Sequence, residues 1–392
     1  MIDMMSPEMR LNPFPMYTMM RENSPVFYYA DHDVWLVFRY ADVRTVLNDH
    51  THFSNQFGQL QRGGEPDAVI GSSVVSQDPP RHSQLRGLIS KAFTPRAIAD
   101  LEDRIRQVTN QLLDQVIEKG YMDLANDLTV PLPVVVIAEL LGVPVQDRER
   151  FKRWSDHVIA NGDAFITGVE NPEHVASKEE MYAYFRAVMA ERQQDPRGDL
   201  ISQLLTVELD GKRLTPDEVL SFCWLLLVAG NETTTSLLGN SILTLLEHPE
   251  AMARLRARPD LIPQAIEEVL RYRSPAQSMF RVVKQEVELG GHTLKPGQRV
   301  VAFIGSANRD PEAFPDPDRF DIDRDPNPHI AFGHGIHFCL GAPLARLEGK
   351  VALTAVLERL QDLEQVTDEP LEPMRGILIM GPANLKLRFR PG

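Results

Sequence analysis

Phe332-Gly333-His334-Gly335-Ile336-His337-Phe338-Cys339-Leu340-Gly341-Ala342 is the most informative stretch of this 392-residue chain. Glycines at 333 and 335 permit a backbone turn that side chains would obstruct. A helical pattern follows from about 340 to 362, so the expectation is a tight loop that presents Cys339 at the start of a long helix. Unpaired amides and the helix dipole at such a position favour a thiolate over a thiol. A thiolate is the form an axial iron ligand requires, because it pushes electron density toward the metal. Two rival readings are a small core cysteine and a zinc site shared with His334 and His337, for which a fourth ligand at finger-like spacing is missing. The paired glycines weigh against both.

Composition bounds what this loop can serve. The chain is 43% hydrophobic and 24% charged with no compositional break, which is read as one domain over residues 1–392. A net charge of −14 argues against a nucleic-acid partner, whose phosphates call for clustered Lys and Arg. The two cysteines, Cys223 and Cys339, lie far apart in different surroundings, so a disulfide framework is not expected and a reducing compartment is. Met1 to Tyr17 contains neither an apolar run of the roughly 20 residues that span a bilayer nor the order of a signal peptide. The expectation is a cytoplasmic protein with no membrane span.

Along the chain, β-prone runs at Val26–Tyr29 and Val34–Phe38 flank the turn-like Asp31-His32-Asp33. Asp78-Pro79-Pro80 and Thr94-Pro95 read as caps opening helices at about 79 and 95, the second ending near Gly120. Thr215-Pro216-Asp217-Glu218 opens an apolar pattern that runs to Glu247-His248-Pro249, about 32 residues, or about 48 Å at the α-helical rise. Further helices are predicted at 250–257 and 262–273, β-prone runs at 282–288 and 298–304, and an ordered Pro- and Asp-rich loop at 310–328. The fold class is mainly α with minor β. Cys223 and the three tryptophans, Trp35, Trp154 and Trp224, read as core or rim residues.

Phe332-Gly333-x-Gly335-x-His337-x-Cys339-x-Gly341 resembles the haem-binding loop of the cytochrome P-450 family at each expected position. The resemblance implies that family's triangular helical fold around a buried haem b (iron protoporphyrin IX), with small antiparallel sheets and Cys339 as the metal ligand. Three other segments fit. Glu268-Val269-Leu270-Arg271 puts a carboxylate and a guanidinium on adjacent helical turns, and it precedes Pro317-Asp318-Arg319-Phe320, which resembles the segment whose Arg319 would complete a structural Glu-Arg-Arg cluster. His82 and Arg86, four apart, share a helix face and can reach one anion; the resemblance gives them, with Arg281 and His337, to the haem propionates. Four such groups suit two buried carboxylates.

Ala229-Gly230-Asn231-Glu232-Thr233-Thr234 interrupts the long apolar helix with a glycine, an acid and hydroxyls, so local distortion of the helix is expected. It resembles the family's Ala-Gly-x-Asp/Glu-Thr motif. By that resemblance Ala229 and Gly230 leave room for dioxygen over the iron, and Glu232 and Thr233 are the catalytic proton relay. The substrate pocket would be walled by residues 57–77 and 157–185, the long helix, Ala276 to Phe280 and Ile377 to Met380, with Ala229, Thr233, Ala276, Gln277, Met279 and Ile379 as contacts. An apolar lining points to a lipophilic small molecule.

The resemblance thus implies a monooxygenase that puts one atom of O2 into that molecule by hydroxylation or epoxidation. No dinucleotide fingerprint or ferredoxin cysteine cluster is present, so electrons from NAD(P)H should arrive through a ferredoxin or flavodoxin-type carrier with its reductase. Arg346 and Lys350, on the helix behind Cys339, are expected to give an acidic ferredoxin a basic docking face. The protein is expected to act as a monomer. The alternatives are a peroxide-driven peroxygenase or a non-catalytic haem sensor or electron carrier, neither of which needs Glu232 and Thr233.

Overall fold

The computed structural model describes residues 6–56, 68–160, 172–367, 369–374 and 378–392. The long helices, in chain order, are α1 (Phe14–Asn23), α2 (Tyr40–Asn48), α3 (Arg81–Ala92), α4 (Glu102–Asp114), α5 (Pro131–Leu141), α6 (Arg148–Ala160), α7 (Pro172–Gln194), α8 (Leu200–Thr206), α9 (Pro216–Glu247), α10 (Pro249–Ala257), α11 (Ile262–Tyr272) and α12 (Ala342–Arg359). Thr215 and Glu218 form a reciprocal capping box at the start of α9. This helix runs its predicted length of 32 residues, packing against α5, α6, α11 and α12. One large apolar cluster joins these helices, and buried Leu227, Leu237, Leu238 and Ile242 of α9 belong to it.

The strands lie to one side. β1 (Val26–Tyr29) and β2 (Val34–Val37) form the expected hairpin, with Asp33 in the left-handed region at φ 50°. With β3 (Phe53–Ser54), β5 (Met279–Val283) and β6 (Arg299–Ala302) they make a sheet of order β1-β2-β6-β5-β3, in which only the β2–β6 pair is parallel. A second, antiparallel sheet joins β4 (Tyr121–Asp123), β8 (Lys386–Pro391) and β7 (Leu360–Gln365). Among the described residues, no helix is long and apolar enough to cross a membrane.

Several boundaries differ from the sequence reading, each for a local reason. Thr94 caps its helix by accepting the Ala97 N–H at 3.1 Å, but that helix ends at Ala99. The chain turns at Asp100 and Leu101, and α4 restarts where Glu102 and Asp103 suit a helix N-terminus. Asp78 caps nothing with its side chain: its carboxylate accepts from the Ser54 hydroxyl at 2.7 Å and the Asn55 N–H at 3.1 Å. The run at 282–288 divides between β5 and the short strand Val287–Leu289. Helix α12 stops at Arg359, because Leu360 turns extended to enter β7.

The Glu-Arg-Arg cluster is present, with a different third member. Glu268, 1% exposed, accepts from Arg271 through both oxygens, Nε at 2.8 Å and Nη2 at 2.7 Å. It also accepts from the Asp321 N–H at 2.9 Å, Arg324 Nε at 3.2 Å and Asn327 Nδ2 at 3.2 Å. Arg319 is 71% exposed and contributes only its carbonyl, which Arg271 Nη2 reaches at 3.1 Å. Its guanidinium faces solvent, whereas Arg324, 8% exposed, turns inward. Removing one partner of a buried ion cluster leaves the others uncompensated. Arg324→Ala should therefore cost about 3–5 kcal/mol, and Arg319→Ala should stay within about 0.5 kcal/mol. Urea unfolding midpoints of the two variants check this; equal losses would restore Arg319 to the cluster.

Candidate active site around Cys339

The loop folds as its glycines require. Gly333 and Gly335 adopt φ of 74° and 73°, the left-handed region, and the Cys339 N–H closes the turn on the Phe332 carbonyl at 2.9 Å. Gly341 caps α12, and the Gly341 and Ala342 amides point at the Cys339 sulfur. Cys339 has accessible surface yet lies deep among protein atoms. Burial pushes its thiol up, and the two amides with Arg86 and Arg346 pull it down without prevailing. The helix N-terminus acts in the expected direction, toward the thiolate, and in the protein alone desolvation of the charged form opposes it. A coordinated cation would deprotonate the thiol outright.

Beside this sulfur the structure gathers the four groups named from the sequence. The rings of His82 and His337 lie 4.2 Å apart, and Arg86 Nη2 donates to the Phe338 carbonyl at 2.7 Å. Burial, with the charge of Arg86, holds His82 below its ordinary value. Burial, with His82 and Arg281, takes His337 down to about 3. Burial lowers Arg281 to about 10. Both ring nitrogens of His82 and Nε2 of His337 are buried with no partner, and Arg281 donates to the neighbouring Phe280 carbonyl at 2.7 Å. Unsatisfied buried donors of this kind are rare in folded proteins. They would suit the carboxylates of a buried anionic group, so the residues present fit haem. Sequence reasoning missed the acid among them: buried Asp78 acts electrostatically on His82, His337 and Arg281. Its place before two prolines made it look like a helix cap.

Across from the loop, α9 stays α-helical through 229–234 instead of distorting. Thr233 donates its hydroxyl to the Ala229 carbonyl at 2.6 Å, a back-bond the helix absorbs. Ala229 and Thr233, four apart, are accessible, while Thr234 and Thr235 are buried, which selects Thr233 as the hydroxyl on the open face. Gly230 is part-buried beside accessible Ala229, and a Cβ at 230 would meet Ile137 Cδ1 of α5 at 2.7 Å, so its lack of a side chain also serves packing. Glu232, 5% exposed, turns away from that face toward α6. Burial, with the nearby Asp156 carboxylate, raises its proton affinity well above the carboxylate range.

A family model described as Cytochrome P450 matches residues 12–389. The chain belongs to the cytochrome P450 family. CYP109Q5 from Chondromyces apiculatus is 46% identical, with a TM-score of 0.91 over 100% of this chain and 98% of that one. CYP109E1 from Bacillus megaterium, solved in complex with testosterone, is 41% identical with a TM-score of 0.91, covering 98% and 99% of the two chains. Cyclomarin C epoxidase CymV of Salinispora arenicola is 43% identical over 95% of this chain and 94% of its own. The fold is that of cytochrome P450, and the chain is a haem monooxygenase, an oxidoreductase.

Within this cytochrome P450 the expected pocket walls are partly assembled. Ala276 and Ile379 form an antiparallel bridge, and the Gln277 N–H donates to the Leu378 carbonyl at 2.8 Å, which brings Ala276 beside Ile379; these two and Met279 are part-buried. Gln277 is not a wall: its side chain, 3% exposed, accepts from the Tyr17 hydroxyl at 2.8 Å and donates to the Ser274 carbonyl at 2.6 Å. Of the other walls, residues 57–67, 161–171 and Ile377 lie outside the described residues. The basic face is not free either. Arg346 donates twice to Glu267 at 2.7 Å and stacks 4.6 Å over Phe332, while Lys350 meets Glu102 at 3.2 Å. His334 accepts from Arg44 at 3.3 Å, and Cys223 is a core thiol that burial raises to about 12. Cys339→Ser should abolish the far-red-shifted Soret band of the reduced carbon monoxide complex; a wild-type-like band would remove Cys339 from the iron.

Proposed function

We propose that this enzyme puts one atom of O2 into an unactivated C–H or C=C bond of a lipophilic small molecule, with Glu232 and Thr233 as its proton relay. The observation that carries the relay is the pairing of an accessible hydroxyl with a buried acid that retains its proton at neutral pH. Haem, held through Cys339 with its carboxylates against His82, Arg86, Arg281 and His337, supplies oxygen activation. Everything else falls to the chain. Thr233, donor and acceptor at once, turns its hydroxyl from the Ala229 carbonyl to pass a proton to the open face of α9, and Glu232 resupplies it from behind. Ala229 leaves space above the site, and Ala276, Met279 and Ile379 give the substrate an apolar wall. The testosterone bound by CYP109E1 supports an apolar ligand class.

Electrons come singly from NAD(P)H through a ferredoxin or flavodoxin-type carrier and its reductase, in the cytoplasm, and the chain works as a monomer of one domain. With Arg346 and Lys350 already paired to acids, the carrier binds without relying on them. The relay is tested by the ratio of product to NADPH, with hydrogen peroxide assayed alongside. Thr233→Ala should bind substrate normally, consume NADPH and divert most electrons into peroxide. Glu232→Gln should slow the whole cycle by about 10²-fold or more, the range a positioned acid contributes. Thr234→Ala should stay coupled; loss of coupling there and not at Thr233 would shift the relay by one residue. Full coupling in all three would favour the peroxygenase reading.

A further inference from the structure

Glu232 is buried against α6, and the charged groups acting on it, Asp156 and Lys152, both come from that helix. The carboxyl of Asp156 lies within hydrogen-bond reach of that of Glu232, and Lys152 Nζ meets Asp156 Oδ2 at 2.7 Å. Exposure rises along the row. Glu232 is 5% exposed, while the side chains of Asp156 and Lys152 are 35% and 36% exposed. The orientation of the α6 pair is the less favourable one for a helix, since Lys stands N-terminal to Asp at i, i+4. Helix stability therefore explains the pair poorly, and the carboxyl it aims at Glu232 explains it well.

We propose that Asp156 is a positioning residue that recharges Glu232 with protons from solvent, and that Lys152 holds the Asp156 carboxyl in place for the transfer. Two facing carboxyls share one proton, because both cannot ionise side by side without cost. Burial penalises the charge on Glu232, so the shared proton rests on the inner partner. When Glu232 gives that proton toward Thr233 it becomes an anion. Asp156 then takes a proton from solvent and passes it inward, so each proton entering at the Lys152 end replaces one leaving at Thr233. The inference rests on the relay proposed for Glu232, and a parallel Glu232 variant separates the two.

Two variants test it by opposite displacements. The carboxylic acid C=O stretch of Glu232, identified by its loss in Glu232→Gln, is followed by difference infrared spectroscopy as pH is raised. Asp156→Asn removes the neighbouring anion and should move the midpoint of that titration down; Lys152→Gln removes the cation and should move it up. In turnover with a surrogate ferredoxin system, Asp156→Asn should slow product formation about tenfold, with a larger solvent deuterium isotope effect and unchanged spectral affinity for substrate. Asp156→Glu should restore most of the rate. Midpoints that stay put, or move the same way in both variants, would overturn the proposal. So would slow turnover in Glu232→Gln beside wild-type turnover and isotope effect in Asp156→Asn. If Glu232→Gln itself turns over normally, the relay proposed above falls first and the inlet with it.

Discussion

The buried carboxylate of Glu268 is the constraint on which the loop side of this molecule depends. It is 1% exposed and is answered by Arg271, Arg324, Asn327 and the Asp321 amide. A charge taken out of water survives only when such donors surround it. Because three of the four partners lie between residues 321 and 327, satisfying Glu268 fixes an aperiodic segment as firmly as a helix would. Arg271 tightens it further by donating to the carbonyls of Asn308, Pro317 and Arg319. That segment leads straight into Phe332 and the Cys339 turn, so the ion cluster sets where the sulfur is presented.

The cationic group near Cys339 follows the opposite logic. Both ring nitrogens of His82 and Nε2 of His337 are buried without partners, and burial lowers the proton affinity of His82, His337 and Arg281. In the protein alone this arrangement is costly, eased in part by Asp78, which Ser54 and Asn55 hold as an acceptor nearby. The anionic edge of a haem bound here would supply the counter-charges that the chain withholds, and its binding would stabilise the fold. Arg346 shows that not every cation near the loop is of this kind. Glu267, despite burial that opposes its charge, is held down to about 2 by hydrogen bonds from Arg346 and His329, so that guanidinium is already matched.

Features set by spacing within one element were legible in the sequence. The capping box and length of α9, the Gly-x-Gly turn, the i, i+3 pair of Glu268 and Arg271 and the i, i+4 pair of His82 and Arg86 all follow from local geometry. What required the fold was the partner across space. Arg324 rather than Arg319 reaches Glu268, since a loop without period gives no rule for which side chain turns inward. Gln277 sits in a run whose neighbours line the pocket, yet Tyr17, 260 residues away, draws it into the core. Gly230 reads as clearance for a ligand, and only the fold shows that a Cβ there would also meet Ile137. The paired acids beside Arg346 and Lys350 lie at Glu267 and Glu102, distant positions that no local pattern connects.

The back-bond of Thr233 has a consequence of its own. With its only hydroxyl hydrogen given to the Ala229 carbonyl, the side chain offers lone pairs, not a proton, to whatever stands above it. To donate upward its hydroxyl must rotate about the Cβ–Oγ bond and release Ala229, a loss of about 1 kcal/mol for a neutral hydrogen bond. The hydroxyl thus behaves as a latch that rests closed. A bound molecule offering a better acceptor than a helix carbonyl would lift it, and an apolar one would leave it shut.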